Sequence, residues 1–526
     1  MTTLRPWLIA GAAALLVVSL SACAASGAPS PTRVAATQSG GPAPAATTGG
    51  GGAAPTQDWR NAPLSPEEVY NDSPETPFKD VATNPLSTFS SDVDTASYAN
   101  LRRQITNHQM PEGVRIEELV NYFDYDYAAP GPEASDPFAV SVEVADCPWA
   151  PDHKLAMIGV QATRAVPTSA GNNLVLLLDV SGSMSAPNKL PLLVDSFSLL
   201  VDTLGPDDVV SIVTYAGSDR IAADSVSGAD HRQLKRILEG LTAGGSTGGA
   251  NGLMTAYDLA RKNFIEGGNN RVILATDGDF NVGPSSDAAM TDLIERERVS
   301  GVYVSVLGFG MGNLKDSKLE SIADHGNGNY AYIDTLNEAN KVLVNEFDST
   351  MFVVAQDLKL QVEFNGAVVQ QYRLIGYDNR RLENEDFAND TKDAGDVGAG
   401  HSVTAFYELI LAGEDTVGGG LRYSNPSYGD STDYMTVALR YKAPGGTESK
   451  LVEVPVGAEA YTTTPSVNFR FASAVTEFGL IVTDSAYQGT ATLANVTSRA
   501  SRALGEDPYG LRAEFLSLVQ AYGRLG

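Results

Sequence analysis

The sequence predicts an α/β fold: a doubly wound domain with a mainly parallel sheet, flanked by β-rich and helical segments that form a second domain. Three observations carry this expectation. In the middle third, the runs "LVLLLD", "DVVSIVTYAG", "RVILATDG" and "VYVSVLGFG" alternate with helix-like runs such as "KLPLLVDSFSLLVDTL" and "ANGLMTAYDLARKNF". Nearly continuous apolar strands between helices mean a parallel sheet covered on both faces. On either side the pattern becomes apolar/polar alternation, which suits strands with one buried face. The middle strands also end in oxygen-bearing side chains, where open α/β sheets place their ligands.

The first segment, residues 1–23, reads as a targeting signal. Arg5 supplies a positive n-region, and Leu8 to Leu20 is an apolar run of about 13 residues, short of the roughly 20 needed to span a membrane. It ends in Leu20-Ser21-Ala22-Cys23, which resembles the bacterial lipobox, whose cysteine becomes the lipidated first residue after cleavage. That resemblance implies lipidation of Cys23 with palmitate-type acyl chains, more than one of which stable anchoring requires. An ordinary signal peptide cut nearby is the alternative. Residues 24–62 are Ala, Gly, Pro, Ser and Thr with almost no large apolar side chain. Such a stretch buries too little surface to offset its ordering entropy, and is expected to act as a flexible tether.

Residues 63–171 are expected to be helical and acidic as far as Pro130, then a β-hairpin. "SSDVDTASYANLRRQI" offers Ser91 or Asp92 as helix N-cap, followed by apolar residues at helical spacing. Asp92-x-Asp94-x-x-Ser97 lacks the glycine and glutamate of a calcium loop, so capping accounts for it better. "PFAVSVEVADCPW" and "HKLAMIGVQATRA" alternate as two strands joined by a turn. The chain has two cysteines. With Cys23 lipidated, Cys147 has no disulfide partner and is expected to be a small buried hydrophobe.

Residues 172–347 hold the doubly wound domain and the candidate chemistry. Asp179 follows "LVLLL", and Ser181 and Ser183 follow it in "DVSGSMS"; Thr247 lies in the glycine-rich "AGGSTGG"; Asp277 follows "RVILAT". The fold would bring these three loops to one edge. Oxygen donors without thiolate or imidazole describe a site for a hard cation, Mg²⁺ or similar. Other chemistries fit less well. Gly244-Gly245-Ser246-Thr247-Gly248 matches a nucleophile elbow, but a helix rather than a strand precedes it. No Gly-Lys-Ser/Thr occurs there for a phosphate loop, "GFGMGN" misplaces its third glycine for a dinucleotide loop, and the five histidines lack zinc spacing.

Residues 348–526 begin with the strand-like runs "DLKLQVEFNGAVVQQYRLIGY", "SVTAFYELIL", "YMTVALRYK" and "KLVEVPV" and end in helices. In the last helix Leu511, Phe515, Leu518, Val519 and Tyr522 share a face, expected to dock on a core. The acid-rich "RRLENEDFANDTKDAGD" is expected to be a solvated loop rather than a calcium site. Strands before and after the central domain are expected to pair with each other.

Asp179-x-Ser181-x-Ser183, Thr247 and Thr276-Asp277-Gly278 together resemble the metal-ion-dependent adhesion site (MIDAS) of von Willebrand factor A domains, a Rossmann-like fold. The resemblance implies that Ser181, Ser183 and Thr247 touch the metal and that the aspartates act largely through water. "FSSDVDTASYANLRR", "LVNYFDYDY", the "CPW" turn, "ATDGDFNVG" and "GAGHSVTAFYEL" extend it to a bacterial family of envelope A-domain lipoproteins with flanking regions of unassigned role.

The formal net charge of −28 excludes nucleic acid as a partner, because no basic surface exists to displace phosphate counterions. The expectation is a membrane-anchored, extracytoplasmic lipoprotein of the bacterial envelope, not an enzyme. It would bind a protein ligand offering a Glu or Asp carboxylate to a divalent cation, Mg²⁺ foremost, with Mn²⁺ and Ca²⁺ as alternatives. The rivals are a fixed subunit of an envelope complex and a metal-assisted hydrolase, for which no general base can be named. The ligand, the choice of membrane and the oligomeric state stay open.

Overall fold

The computed structural model describes residues 74–91, 94–131, 133–164, 170–245, 251–278, 287–310, 315–392, 394–413 and 431–525. The signal segment, Cys23 and the tether lie outside them. The described chain starts with two short strands, β1 (Lys79–Asp80) and β2 (Leu86–Ser90), then helices α1 (Ala96–Thr106) and α2 (Ile116–Asn121). The hairpin follows as β3 (Phe138–Asp146) and antiparallel β4 (Lys154–Ala162). The sequence predicted helix alone before Pro130; β1 and β2 correct that. "LSTFS" is too short to announce a strand, and forms one because β11 offers it an edge. The predicted cap is also corrected. Thr95 holds the N-cap position of α1, Ser91 bonds the Leu358 carbonyl at 3.1 Å, and Asp92 lies outside the described residues.

The middle third runs β5 (Asn172–Asp179), α3 (Leu190–Thr203), β6 (Val209–Tyr215), β7 (Asp219–Ser227), α4 (His231–Glu239), α5 (Gly252–Lys262) and β8 (Asn269–Thr276). It continues as α6 (Asp287–Val299), β9 (Tyr303–Phe309), α7 (Asp316–His325), β10 (Tyr330–Ile333), α8 (Leu336–Asn340) and α9 (Phe347–Met351). The sheet order is β10-β9-β8-β5-β6-β7, parallel except for β7. β7 was not visible in the sequence: it is a mostly exposed edge strand and has no apolar run to show. Every residue of β5 and β8 is buried, since helices cover both faces. Leu174, Leu176 and Leu178 pack toward α3 and α4, while Val175 and Leu177 pack toward α5 and α7. Successive connections leave β5 in opposite directions, so a cleft opens at the carboxyl ends of β5 and β8.

The last part comprises β11 (Val353–Phe364), β12 (Val369–Ile375), β13 (Gly395–Gly398), β14 (Ser402–Leu411), β15 (Met435–Lys442) and β16 (Ser449–Val456), then α10 (Val467–Val482), α11 (Leu493–Ser501) and α12 (Leu511–Tyr522). Among the described residues these strands join the N-terminal ones in two sheets, β1-β12-β14-β4-β3 and β13-β11-β15-β16, with β2 also on β11. The pairs β4/β14, β2/β11 and β1/β12 join chain from before and after the middle third, as expected. The two sheets share a core of alternating side chains, Ile158, Leu360 and Tyr407 among them. The opposite face of β3, β4 and β14 is covered by helices. There Leu511, Phe515, Leu518 and Val519 of α12 are buried with Cys147 and Trp149. Burial pushes the Cys147 thiol up to about 12. Among the described residues no helix is long and apolar enough to cross a membrane.

Helix α1 belongs to both halves. Its small residues Ala96 and Ala99 sit in the core of the α/β unit, whereas Tyr98, Leu101 and Ile105 face the helical cluster. Arginines tie the same seam, Arg102 and Arg115 buried and Arg380 partly so. Arg102 bonds Asp334 and Glu338 beyond β10 and Glu514 on α12. Arg115 bonds Glu118 and, at 2.8 Å, Asp316 on α7; Arg380 meets Glu320 at 2.7 Å and Asp324 at 2.9 Å.

Candidate metal centre

After Asn172 and Asn173, strand β5 is apolar from Leu174 to Leu178 and closes on Asp179, a carboxylate that is itself fully buried. The parallel register sets Leu178 beside Ala275, which places Thr276 next to Asp179 and Asp277 one residue beyond. Thr276 Oγ1 donates to Asp179 Oδ2 at 3.2 Å, and the Ser181 amide donates to Asp179 Oδ1 at 2.8 Å. One strand end thus orients the carboxylate of the other. The Gly278 amide closes the loop by donating to Thr276 Oγ1 at 3.2 Å.

The serines follow in a single 3-10 turn, Gly182–Ser185. Ser181 is buried, Ser183 is exposed, and their hydroxyl oxygens lie 2.9 Å apart. The glycine-rich loop is laid against this turn: the Gly182 amide donates to the Gly245 carbonyl at 3.1 Å and the Gly244 amide to the Val180 carbonyl at 2.8 Å. Gly245 adopts φ +83°, in the region that glycine tolerates best. A side chain at Gly182 would begin 3.2 Å from the Gly245 carbonyl oxygen, so the two loops approach as glycines permit. Thr247 lies outside the described residues.

Asp179, Ser181, Ser183 and Asp277 therefore come to one edge of the sheet. Burial pushes the Asp179 carboxyl up to about 6; the charge of Asp277 adds to the rise, and the Ser181 and Thr276 hydrogen bonds oppose it. Tyr215, at the end of neighbouring β6, is raised by burial and then by the charge of Asp179. Two buried carboxylates beside two converging hydroxyls fit a hard cation, which prefers oxygen and offsets the crowding of negative charge. Among the described residues no three His, Cys, Asp or Glu side chains gather to hold a metal.

The sequence named Thr276 only within its motif and left Lys189 unread. Thr276 orients Asp179, and Lys189 sets its ammonium 2.7 Å from Asp277 Oδ2. The only sequence signal for Lys189 was a cation placed between the serine loop and an apolar helix. Elsewhere, two acids of the 380–396 segment are occupied: Asp390 accepts from Ser449 Oγ at 2.5 Å and Asp396 from Asn327 Nδ2 at 2.8 Å.

Three family models match the chain: von Willebrand factor over residues 65–157, von Willebrand factor type A domain over 173–346, and Uncharacterized protein YfbK, C-terminal, over 349–525. The chain is similar to Uncharacterized protein YfbK of Escherichia coli (strain K12), 43% identical over 456 residues, spanning 84% of this chain and 79% of that one. It is also similar to Inter-alpha-trypsin inhibitor heavy chain H4 of Homo sapiens, 28% identical over 169 residues, 30% of this chain and 18% of that one. Among solved structures, von Willebrand factor type A from Catenulispora acidiphila aligns with 16% identity over 73% of this chain and 91% of its own, at a TM-score of 0.40.

Proposed function

The chain belongs to the family of the Escherichia coli protein YfbK and carries a von Willebrand factor type A domain, and from that premise we propose that it is a lipid-anchored protein of the bacterial envelope that binds a protein ligand through a divalent cation. Type A domains are in general protein-interaction modules. The observation that carries the metal reading is the pair of buried carboxylates, Asp179 and Asp277, at adjoining strand ends beside the Ser181 and Ser183 hydroxyls 2.9 Å apart.

Ser181 and Ser183, with Thr247 from the neighbouring loop, would be the direct ligands, and the two aspartates would hold the water around the ion. Bound there, Mg²⁺ supplies an open octahedral position to an incoming oxygen. The chain's own residues make that position selective. Neutral hydroxyl ligands leave the charge of the cation largely uncompensated, and the best incoming group is then a Glu or Asp carboxylate of the partner. A protein with a formal net charge of −28 repels such a partner at a distance, so contact needs a local positive centre. Cys23 at the end of the apolar leader would be the lipid attachment point.

Thermal unfolding tests the site. One bound ion at a hundredfold excess over Kd should add about 2.7 kcal/mol. Mg²⁺ should raise the Tm of the wild type and leave Asp179→Ala unmoved; no Mg²⁺ effect on the wild type refutes the site. Capture of envelope partners with and without EDTA separates the uses. A partner lost in EDTA fits metal-dependent binding, and one retained fits fixed assembly.

A further inference from the structure

Lys189 has a prepared path to the candidate site. It immediately precedes α3, where its amide donates to the Ala186 carbonyl at 3.0 Å and its carbonyl accepts from the Leu193 amide at 2.8 Å. From there the stem runs across Gly310, the residue after β9. A Cβ at Gly310 would fall 2.3, 2.8 and 2.4 Å from Cγ, Cδ and Cε of the lysine. Gly310 has φ +78°, and its carbonyl is held by the hydroxyl of buried Tyr332 from β10. A turn without a side chain thus leaves the lysine a groove that ends 2.7 Å from Asp277 Oδ2. The lysine side chain is 9% exposed and that of Asp277 not at all.

Burying an ammonium is costly unless a carboxylate receives it. The groove brings that cost to the one edge where a cation is proposed to bind, so the charge has a consequence there. With the lysine in place, the two buried carboxylates and the ammonium sum to a single negative charge. A dication then leaves the site singly positive; without the lysine it would be neutral. The repulsion between ammonium and dication acts where little water screens it.

We propose that Lys189 is a resident counter-charge of the metal site, a positioning residue that holds Asp277 and loosens the grip on the cation, leaving the loaded site net positive. The inference rests on the metal reading above. Calorimetric titration of MgCl₂ into the full chain at pH 8 tests it with wild type, Lys189→Met, Lys189→Gln and Asp179→Ala. Lys189→Gln keeps a hydrogen-bond donor for Asp277 without the charge, and decides the matter if Lys189→Met does not unfold cooperatively. Both lysine variants are expected to bind Mg²⁺ about tenfold more tightly than wild type, a modest share of the repulsion between such charges at low screening. An unchanged or weaker affinity in the folded variants overturns the proposal while the wild-type titration still stands for the metal site. Wild type that binds no Mg²⁺, or binds it no better than Asp179→Ala, removes the metal site itself.

Discussion

Replacing Arg102 by methionine should destabilise the chain by about 3–5 kcal/mol at pH 7.5, the cost of leaving buried charges unpartnered. The figure follows from which carboxylates can find water instead. Arg102 bonds Asp334 through Nε at 2.8 Å, Glu338 through Nη2 at 2.6 Å and Glu514 through Nη1 at 3.0 Å. The Asp334 and Glu338 side chains are 7% and 1% exposed, so both would stay buried without a counter-charge; Glu514, at 32%, can rehydrate. The buried pair therefore carries nearly all the cost. Glu514→Gln should lose no more than about 1 kcal/mol, the range of exposed pairs. Asp334 already sits above the usual carboxylate range because of burial, so protonation relieves the variant as pH falls. The gap between wild type and Arg102→Met should shrink from pH 7.5 to pH 5. Urea unfolding followed by tryptophan fluorescence measures it, since Trp149 is wholly buried. A loss below about 1 kcal/mol for Arg102→Met would show that the arginine ties nothing across the seam.

Two further outcomes are expected. Burial raises the Glu118 carboxyl from 4.5 to about 8 against the pull of Arg115, so the folded chain keeps a proton that the unfolded chain releases. That contribution is complete below about pH 4.5 and is lost as pH rises to 8; Glu118→Gln should flatten the Tm profile over this window, and parallel profiles would count against it. Cys147, 2% exposed with its thiol raised to about 12, should react with a thiol reagent only after unfolding in a Cys23→Ser background, and rapid native labelling would contradict its burial.

Much of the candidate site was legible because each part announces itself locally. An apolar run that stops at oxygen-bearing side chains marks the end of a buried parallel strand: β5 stops at Asp179, and β8 at Thr276 with Asp277 next. Ser181 and Ser183 follow at a spacing that one tight turn brings together. Lys189 was not legible: its partner is 88 residues away and its path depends on Gly310. The role of Thr276 also needs the β5/β8 register before it has meaning.

By itself the sequence determined the doubly wound sheet and the alternating strands that flank it, and it put oxygen donors at the strand ends, because burial on two faces, alternation and donor type are written residue by residue. Only the tertiary structure decided the rest. β2 is a strand because β11 accepts it, Asp94 accepts from the Tyr330 amide at 2.8 Å, and α1 spans two cores. These outcomes rest on contacts between residues hundreds of positions apart, whose energies depend on shape and distance that no local pattern encodes.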